Sequence, residues 1–453
     1  MGQPKGSVQP KQKRTKNFNE VSLGYSKRVA VEESRRCPQC TDPVCVRACP
    51  VGINIPGFIR RLREGNIGGA YELIRDQNPL PSVCGRICSA PCELACILNE
   101  ESNPIGIRTL ERYASDNIRQ RSNRKESVSR KGMKIAVIGS GPSGLSAAAV
   151  LAQKGYQVCI FESMDQPGGV LRYGIPEFRI PTKILETEIN EIRALGVEIE
   201  TNCLIGYTKT MDELKAEGYV SILLAMGAGV PKFMEIPGSN LGGVFYGEEF
   251  LMRINQKRLS GSYAEQSLIP YAQKVVVIGS GNTALDCARV LVRLQKEVSL
   301  VFRRTLDELY VRDEEKKLAM EEGINFEPLV KPVEILPTQD NFVGGVKCVR
   351  IDYADVESDG MWSLIPVPDS EFIIEADAVI IAIGHKPNSN IGKKYKNIKI
   401  NENDTIKIND QTGMTNVKGI FAAGNVVSNA GPVVDAIASG KMAAEQIHRY
   451  LVG

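Results

Sequence analysis

The chain has 453 residues, room for two or three domains, and its 43% hydrophobic and 24% charged content fits a water-soluble globular protein. A net charge of only +3 gives no sign of nucleic-acid binding. No apolar run approaches the roughly 18 residues of a membrane span, and the N-terminus carries no hydrophobic signal segment.

From this the protein is expected in the cytoplasm, away from membranes. Its twelve cysteines then point to metal or cluster ligation rather than to a disulfide framework. Lys5, Lys11, Lys13, Arg14 and Lys16 precede any acidic residue. They read as a solvated, disordered tail, with docking on an acidic partner as the alternative.

Eight of the twelve cysteines fall between Cys37 and Cys96. Residues 1–125 show helix-like stretches at 55–64 and 68–75, proline-rich turns near 78–81, and no strand alternation. This predicts a small helical domain held together by its ligands. The first cysteine set is Cys37-x2-Cys40-x4-Cys45-x3-Cys49-Pro50. It differs only in the middle gap from the bacterial ferredoxin run. The second set is Cys84, Cys88, Cys92 and Cys96, spaced by four, which places neighbours on one helical face. Pro91 prevents a single helix through all four but can start one carrying Cys92 and Cys96. Thiolates suit iron–sulfur clusters and zinc alike. By number, eight cysteines could serve two clusters, with the pairing open. Cys159, Cys203, Cys287 and Cys348 read as small buried hydrophobes.

A polar linker at 119–132 leads to two related stretches. Residues 134–144 read KIAVIGSGPSG and residues 274–284 read KVVVIGSGNTA. Each is an apolar run, a glycine-rich turn and a helix-forming segment, the context of a dinucleotide fingerprint. At 23 positions past the first glycine the two diverge. The first has Glu162 after VCIF, and an acidic residue there bonds a ribose 2′-hydroxyl. The second has Phe302 followed by Arg303 and Arg304, which suit a 2′-phosphate. The first site therefore reads as binding FAD and the second NADPH. Ordinary glycine-rich turns are the alternative, which two motifs in register with opposite charge argue against. Ala284 replaces the third glycine, as the fingerprint tolerates.

A strand-like run at 378–383 ends in Gly384, and 419–424 (GIFAAG) precedes a helix-like segment from Pro432. This order predicts one nucleotide domain inserted in another. The expected fold is α/β: an N-terminal helical iron–sulfur domain followed by two doubly wound Rossmann-like domains with parallel sheets. Expected boundaries are 1–125 for the cluster domain, 131–245 with 376–453 for the FAD domain, and 246–375 for the NADPH domain. The two histidines are His385 and His448. Hydride transfer needs no acid–base side chain, and His385 is a candidate either for the nicotinamide site or for a structural role.

From about Phe18 to the end, the chain resembles the family of the small subunit of NADPH-dependent glutamate synthase. The motifs CPQCTDPVCVRACPVGINIPGF, NPLPSVCGRICSAPCELAC, IGSGPSGL, GGVLRYGIPEFRIP, IGSGNTALD, VFRRT and FAAGN carry the likeness. The same module forms the large subunit of NADH-dependent ferredoxin:NADP oxidoreductase and the N-terminal part of dihydropyrimidine dehydrogenase. The resemblance implies FAD, a nicotinamide site and two 4Fe–4S clusters. It suggests Cys37, Cys40, Cys45 and Cys96 for one cluster. For the other it suggests Cys49, Cys88 and Cys92 with a non-cysteine ligand, Glu111, leaving Cys84 a non-ligand; a helix-surface carboxylate is the alternative for Glu111.

For FAD the resemblance points to Gly139, Gly141, Pro142, Ser143, Gly144, Leu145, Glu162, Gly168, Gly169, Arg179, Gly227, Ala423, Gly424, Asn425 and Val426. Asn425 stands where many relatives carry Asp, which removes a negative charge near the flavin or its ribitol. For NADPH it points to Gly279, Ser280, Gly281, Asn282, Thr283, Arg303, Arg304, Arg312 and Gly384. The implied role is an electron-input oxidoreductase subunit that oxidises NADPH at FAD. Its electrons go through the clusters to a separate glutamate synthase large subunit. The alternative acceptors are ferredoxin and a small flavoprotein subunit of a bifurcating enzyme. A zinc-stabilised nucleotide-binding scaffold is a third reading.

Overall fold

The run KIAVI, apolar at four consecutive positions, forms β1 (Lys134–Ile138) and buries all four. Such a strand is stable only with hydrogen-bonded neighbours and covered faces on both sides, as in a parallel α/β sheet. The computed structural model, which describes residues 3–101, 103–118, 132–259, 269–355, 362–429 and 431–453, supplies them. The neighbours are β2 (Gln157–Phe161), β3 (Glu198–Glu200), β4 (Tyr219–Leu224) and, late in the chain, Ile420–Ala422. The order is Ile420–Ala422, β4, β1, β2, β3, with every pairing parallel. The linker expected at 119–132 lies outside the described residues except for Gly132.

The second sheet repeats the pattern with β5 (Val244–Tyr246), β6 (Lys274–Ile278), β7 (Glu297–Val301), β8 (Asn325–Glu327) and β9 (Ala378–Ile381). Its order is β8-β7-β6-β9-β5, again all parallel. The strand Ile420–Ala422 of the first sheet is β10. Two strands thus stand apart from the expected boundaries. Both β5 and β9 had been assigned wholly or partly to the FAD unit, yet β9 bonds β6 on one side and β5 on the other. All four residues of β9 are buried, as a strand inside a sheet covered on both faces requires. The chain crosses between units at an antiparallel ribbon, Val230–Pro231 against His385–Lys386. A further antiparallel sheet, Val330–Pro337, Val343–Asp355, Trp362–Pro366 and Phe372–Ile374, was not anticipated. Its Val330, Ile335, Val346 and Cys348 cover Val276, Ile278, Val379 and Ile381 of the second sheet.

Short helices, among them α1 (Lys27–Arg36), α2 (Ile55–Arg63) and α3 (Ile107–Asp116), build the N-terminal domain. Phe58, Ile59, Leu62, Ile74, Leu80, Val83 and Leu110 fill its core. The nucleotide units contribute α4 (Pro142–Gln153), α5 (Gly247–Leu259), α6 (Asn282–Arg293), α7 (Asp313–Glu322) and the long C-terminal α8 (Val433–Val452). No helix among the described residues is long and apolar enough to cross a membrane.

The basic N-terminal segment is not a free tail. Ser7–Val8 pairs with Ser22–Gly24, and Arg14 is only 4% exposed. Arg14 Nε donates to Glu322 Oε1 at 3.1 Å and Nη2 to Glu321 Oε2 at 2.8 Å. The acidic partner weighed as the alternative to a solvated tail lies on α7 of the same chain. Glu322 also accepts from Arg289 Nε at 3.0 Å and Arg293 Nη1 at 3.0 Å. Val21 N donates to Phe178 O at 3.0 Å, and the Arg293 guanidinium stacks 3.9 Å above the Phe178 ring.

Burial by itself would raise the Glu322 carboxyl, but Arg289 and Arg293 bonded to it hold it down at about 2. A folded value below the ordinary carboxylate range adds stability that is present above about pH 4.5 and lost as the pH falls toward 2. Glu322→Ala, which takes from the buried Arg293 its carboxylate partner and from Arg14 and Arg289 one of two, is expected to cost about 3–5 kcal/mol at pH 7. Urea unfolding should show the gap between wild type and variant narrowing as the pH drops to about 3. A gap that does not change with pH would contradict the ion-pair account.

Candidate active site: a nucleotide groove beside two thiol cages

The first fingerprint turn is shaped by close contacts. Gly139 has φ +104°, and a Cβ there would lie 2.6 Å from the Ala225 carbonyl oxygen. A Cβ on Gly144 would collide with the Gly139 carbonyl, so α4 starts directly on the strand end. The free N–H groups of the first turn of α4 therefore face a groove of about 610 Å³. At the end of β2, Glu162 Oε2 accepts from Ser140 N at 2.9 Å and from Ser140 Oγ. Its Oε1 accepts from Met164 N at 2.9 Å. Gly168 N donates to Ser140 Oγ at 2.9 Å, which ties the 168–169 loop to the turn.

Of the expected FAD residues, Gly139, Gly141, Pro142, Ser143, Glu162, Gly169, Gly227, Ala423 and Asn425 line this groove. Leu145 and Val426 are buried behind it, and Gly424 N donates to Ser439 Oγ at 2.8 Å beside Ser143. Arg179 is not among the lining residues. Its Nη1 donates to the buried Asp286 Oδ2 on α6 at 2.7 Å, so it joins the two nucleotide units. A buried carboxylate requires such a partner. Ser143 Oγ and Asn425 Oδ1 are buried in the groove with no hydrogen-bond partner among the described residues. Orphaned polar atoms beside an open helix N-terminus fit a bound dinucleotide. Groove residues that sequence reasoning missed include Tyr173, which lies within the quoted GGVLRYGIPEFRIP stretch but was not singled out, and Tyr207 and Glu248, which no local motif marks.

The second turn repeats the geometry. A Cβ on Gly279 would collide with the Ala382 carbonyl, as one on Gly139 meets Ala225. Gly281 and Asn282 open α6, and Tyr310 N donates to Ser280 O at 3.1 Å. Arg303 is exposed just past β7, and the Arg304 guanidinium stacks 5.2 Å from the Tyr310 ring centroid. Both can therefore meet a phosphate. Arg312 is placed elsewhere. Its Nη2 donates to Arg86 O at 3.3 Å and Glu315 Oε1 at 3.2 Å, in the seam with the N-terminal domain. Burial and the neighbouring Arg108 push it down to about 10. Gly384, at φ +104°, turns the chain from β9 into the ribbon.

The cysteines gather in two cages. Cys37, Cys40, Cys45 and Cys96 surround one apolar cavity with Ile59, Ile97 and Ile105. Cys49, Cys84, Cys88, Cys92 and Glu111 surround the other with Asn78 and Val434. Ile55 and Ile107 wall both. Cys84 also lines the second cage. Burial pushes Cys45 up to about 11 and Cys88 up to about 12, and raises Cys37, Cys49, Cys84 and Cys92 as well. Thiolates exist in such places only with a cation among them. Glu111 is 6% exposed, accepts from Asn78 Nδ2 at 2.9 Å, and is pushed up to about 8 by burial. It is not a surface carboxylate. Among the described residues no three His, Cys, Asp or Glu side chains gather closely enough for one metal ion. Soft donors standing round a cavity fit a polynuclear iron–sulfur cluster better than a closed zinc site.

One helix separates the groove from the second cage. In the first turn of α8, Val433 and Ala436 line the groove, and Val434 between them lines the cage. A Cβ on Gly440 would collide with the Ser143 carbonyl, so α8 lies hard against α4. Lys441 Nζ reaches the N-terminal domain, donating to Val51 O at 2.9 Å and Gln77 Oε1 at 3.1 Å.

Known proteins match this arrangement in two pieces. Residues 14–123 match the family described as dihydropyrimidine dehydrogenase domain II, 4Fe-4S cluster. Residues 133–443 match pyridine nucleotide-disulphide oxidoreductase. The chain is 33% identical to a glutamate synthase (NADPH) small chain of Azospirillum brasilense, over 97% of this chain and 93% of that protein. It is 34% identical to an NADP(+)-dependent formate dehydrogenase subunit beta of Moorella thermoacetica, over 91% of this chain and 60% of that protein. Among solved structures, FprA of Mycobacterium tuberculosis in complex with NADPH shares the fold, with a TM-score of 0.59 at 19% identity over 71% of this chain and 84% of FprA. A helical domain of thiol cages joined to paired dinucleotide units, with these relatives over nearly its whole length, means that the chain belongs to the family of the NADPH-dependent glutamate synthase small subunit, FAD-dependent oxidoreductases with an N-terminal 4Fe–4S domain.

Proposed function

We propose that the chain is the electron-input subunit of a glutamate synthase, oxidising NADPH at FAD and passing electrons through two 4Fe–4S clusters to a separate large subunit. The observation that carries this reading is the shared wall: consecutive residues of α8 line the groove and the second cage. FAD, when bound, supplies the conversion of a two-electron hydride into single electrons. The residues position the rest. The 139–143 turn and the N-terminus of α4 hold the pyrophosphate, and Glu162 accepts from ribose hydroxyls. Arg303 and Arg304 clamp the 2′-phosphate.

Cys49, Cys88, Cys92 and Glu111 hold the cluster beside the groove. Cys37, Cys40, Cys45 and Cys96 hold the next, across Ile55 and Ile107. That order runs from groove to second cage to first cage, and on to the partner. The 33% identity to the Azospirillum small chain over 97% of this chain supports the glutamate synthase reading. The compartment we propose is the cytoplasm, where free thiols stay reduced.

Mixed with a glutamate synthase large subunit of its own source, the chain should support glutamine- and 2-oxoglutarate-dependent NADPH oxidation. Dye reduction by NADPH without any such coupling would overturn the choice of partner. In steady-state kinetics with a dye, the double substitution Arg303→Ala, Arg304→Ala should raise KM for NADPH by at least about tenfold, as expected for losing a charge-assisted phosphate contact. KM for NADH should stay the same. Equal effects on both nucleotides would contradict the phosphate assignment. Anaerobic protein should carry roughly eight irons per chain, and Cys45→Ala should remove about half while NADPH still bleaches the flavin. Four irons in the wild type would contradict the two-cluster reading.

A further inference from the structure

We propose that Glu248, held in place by His385, is the acceptor for the carboxamide N–H of the nicotinamide ring. This rests on the assignment of NADPH to the second nucleotide unit. In a doubly wound sheet the ligand lies across the carboxyl ends of the strands, at the point where strand order reverses. Here that point is between β6 and β9, in the order β8-β7-β6-β9-β5. Pyrophosphate on the Gly279–Thr283 turn, with the 2′-phosphate at Arg303 and Arg304 beyond β7, sends the other half of the dinucleotide over β9 and β5. The first residues past the turns at those two strand ends are His385, after Gly384, and Glu248, after Gly247.

Three observations place Glu248 between the two nucleotides. A Cβ on Gly247 would lie 3.2 Å from Thr283 Cγ2, so the start of α5 abuts the second fingerprint turn. Glu248 and His385 both line the groove of the first unit, although the strands they follow, β5 and β9, belong to the second. Among the described residues Glu248 Oε2 is buried without a hydrogen bond, and it lies 3.5 Å from His385 Nδ1. Burial pushes the Glu248 carboxyl up, and only His385 opposes it. A carboxylate oxygen short of donors, where a carboxamide must pass, matches the two N–H donors that group brings. The ring would then present one face to the groove, because the carboxamide fixes rotation about the glycosidic bond.

The test compares ligands that do and do not carry the carboxamide, on the full FAD-loaded chain by calorimetry. Adenosine 2′,5′-bisphosphate should bind wild type and Glu248→Ala alike. NADP+ should bind Glu248→Ala at least about tenfold more weakly than wild type, with Glu248→Gln, which keeps an acceptor oxygen, in between. Wild type should also bind NADP+ at least about tenfold more tightly than its 3-acetylpyridine analogue, whose acetyl group has no N–H to give. Equal affinity for that pair overturns the proposal without any variant, as does a Glu248→Ala chain that binds NADP+ normally or loses both ligands equally. Failure of wild type to bind the bisphosphate would instead remove the NADPH site on which the proposal stands.

Discussion

The rest of the structure depends on how closely α8 can approach α4. At Gly440 there is no side chain because the Ser143 carbonyl occupies the space where a Cβ would stand. Small residues on both helices, Ala147 and Ala148 on one and Ala443 and Ala444 on the other, are fully or nearly fully buried. Close packing of this kind is intolerant of added volume. It fixes the C-terminal helix with Val433 and Ala436 toward the nucleotide groove and Val434 toward the second cage. Lys441, one residue past the contact, bonds two carbonyl-bearing residues of the N-terminal domain. A single helix therefore sets where a flavin and a cluster can stand relative to each other.

Besides apolar packing, ion pairs of buried arginines tie these segments together. Arg14 on the N-terminal segment meets Glu322 on α7, Arg108 meets Glu314, and Arg179 meets Asp286. Arg86 binds Glu20 and Asp116. Each pair joins segments far apart in the chain. Buried pairs add little to stability against an apolar alternative, but losing one partner leaves an uncompensated charge. Such pairs punish wrong docking more than they reward right docking. That suits a molecule in which the proposed electron path crosses domain boundaries.

Much of this was legible in the sequence because it is local. Four-residue apolar runs followed by glycine-rich turns fixed both parallel sheets. The divergence of Glu162 from Arg303 and Arg304 separated two nucleotide sites within one repeated pattern. The cysteine spacings marked the N-terminal domain, and the family likeness divided the thiols as the two cages do, apart from Cys84. What escaped is non-local. A run such as 378–381 fits the centre of either sheet, and only its pairing with β6 and β5 places it. Arg179 and Arg312 look like anion ligands in a linear motif, yet Arg179 is captured by Asp286 on α6, and Arg312 turns into the seam with the N-terminal domain, where it donates to the Arg86 carbonyl. The basic N-terminal segment looked solvated because Glu322 lies some 300 residues away. Glu248 carries no motif at all, and its position emerges only from strand order.

The central claim is that electrons entering at the groove leave through the second cage. The most direct measurement is anaerobic rapid mixing of iron-verified protein with NADPH, following flavin absorbance and freeze-quenched electron paramagnetic resonance in parallel. The account predicts that the flavin bleaches first and that reduced-cluster signals grow afterwards. It also predicts that Gly440→Val, which forces α8 away from α4, uncouples the two in any variant that still binds flavin. Cluster reduction that proceeds in flavin-free protein, or flavin bleaching that is never followed by reduced iron, would contradict it.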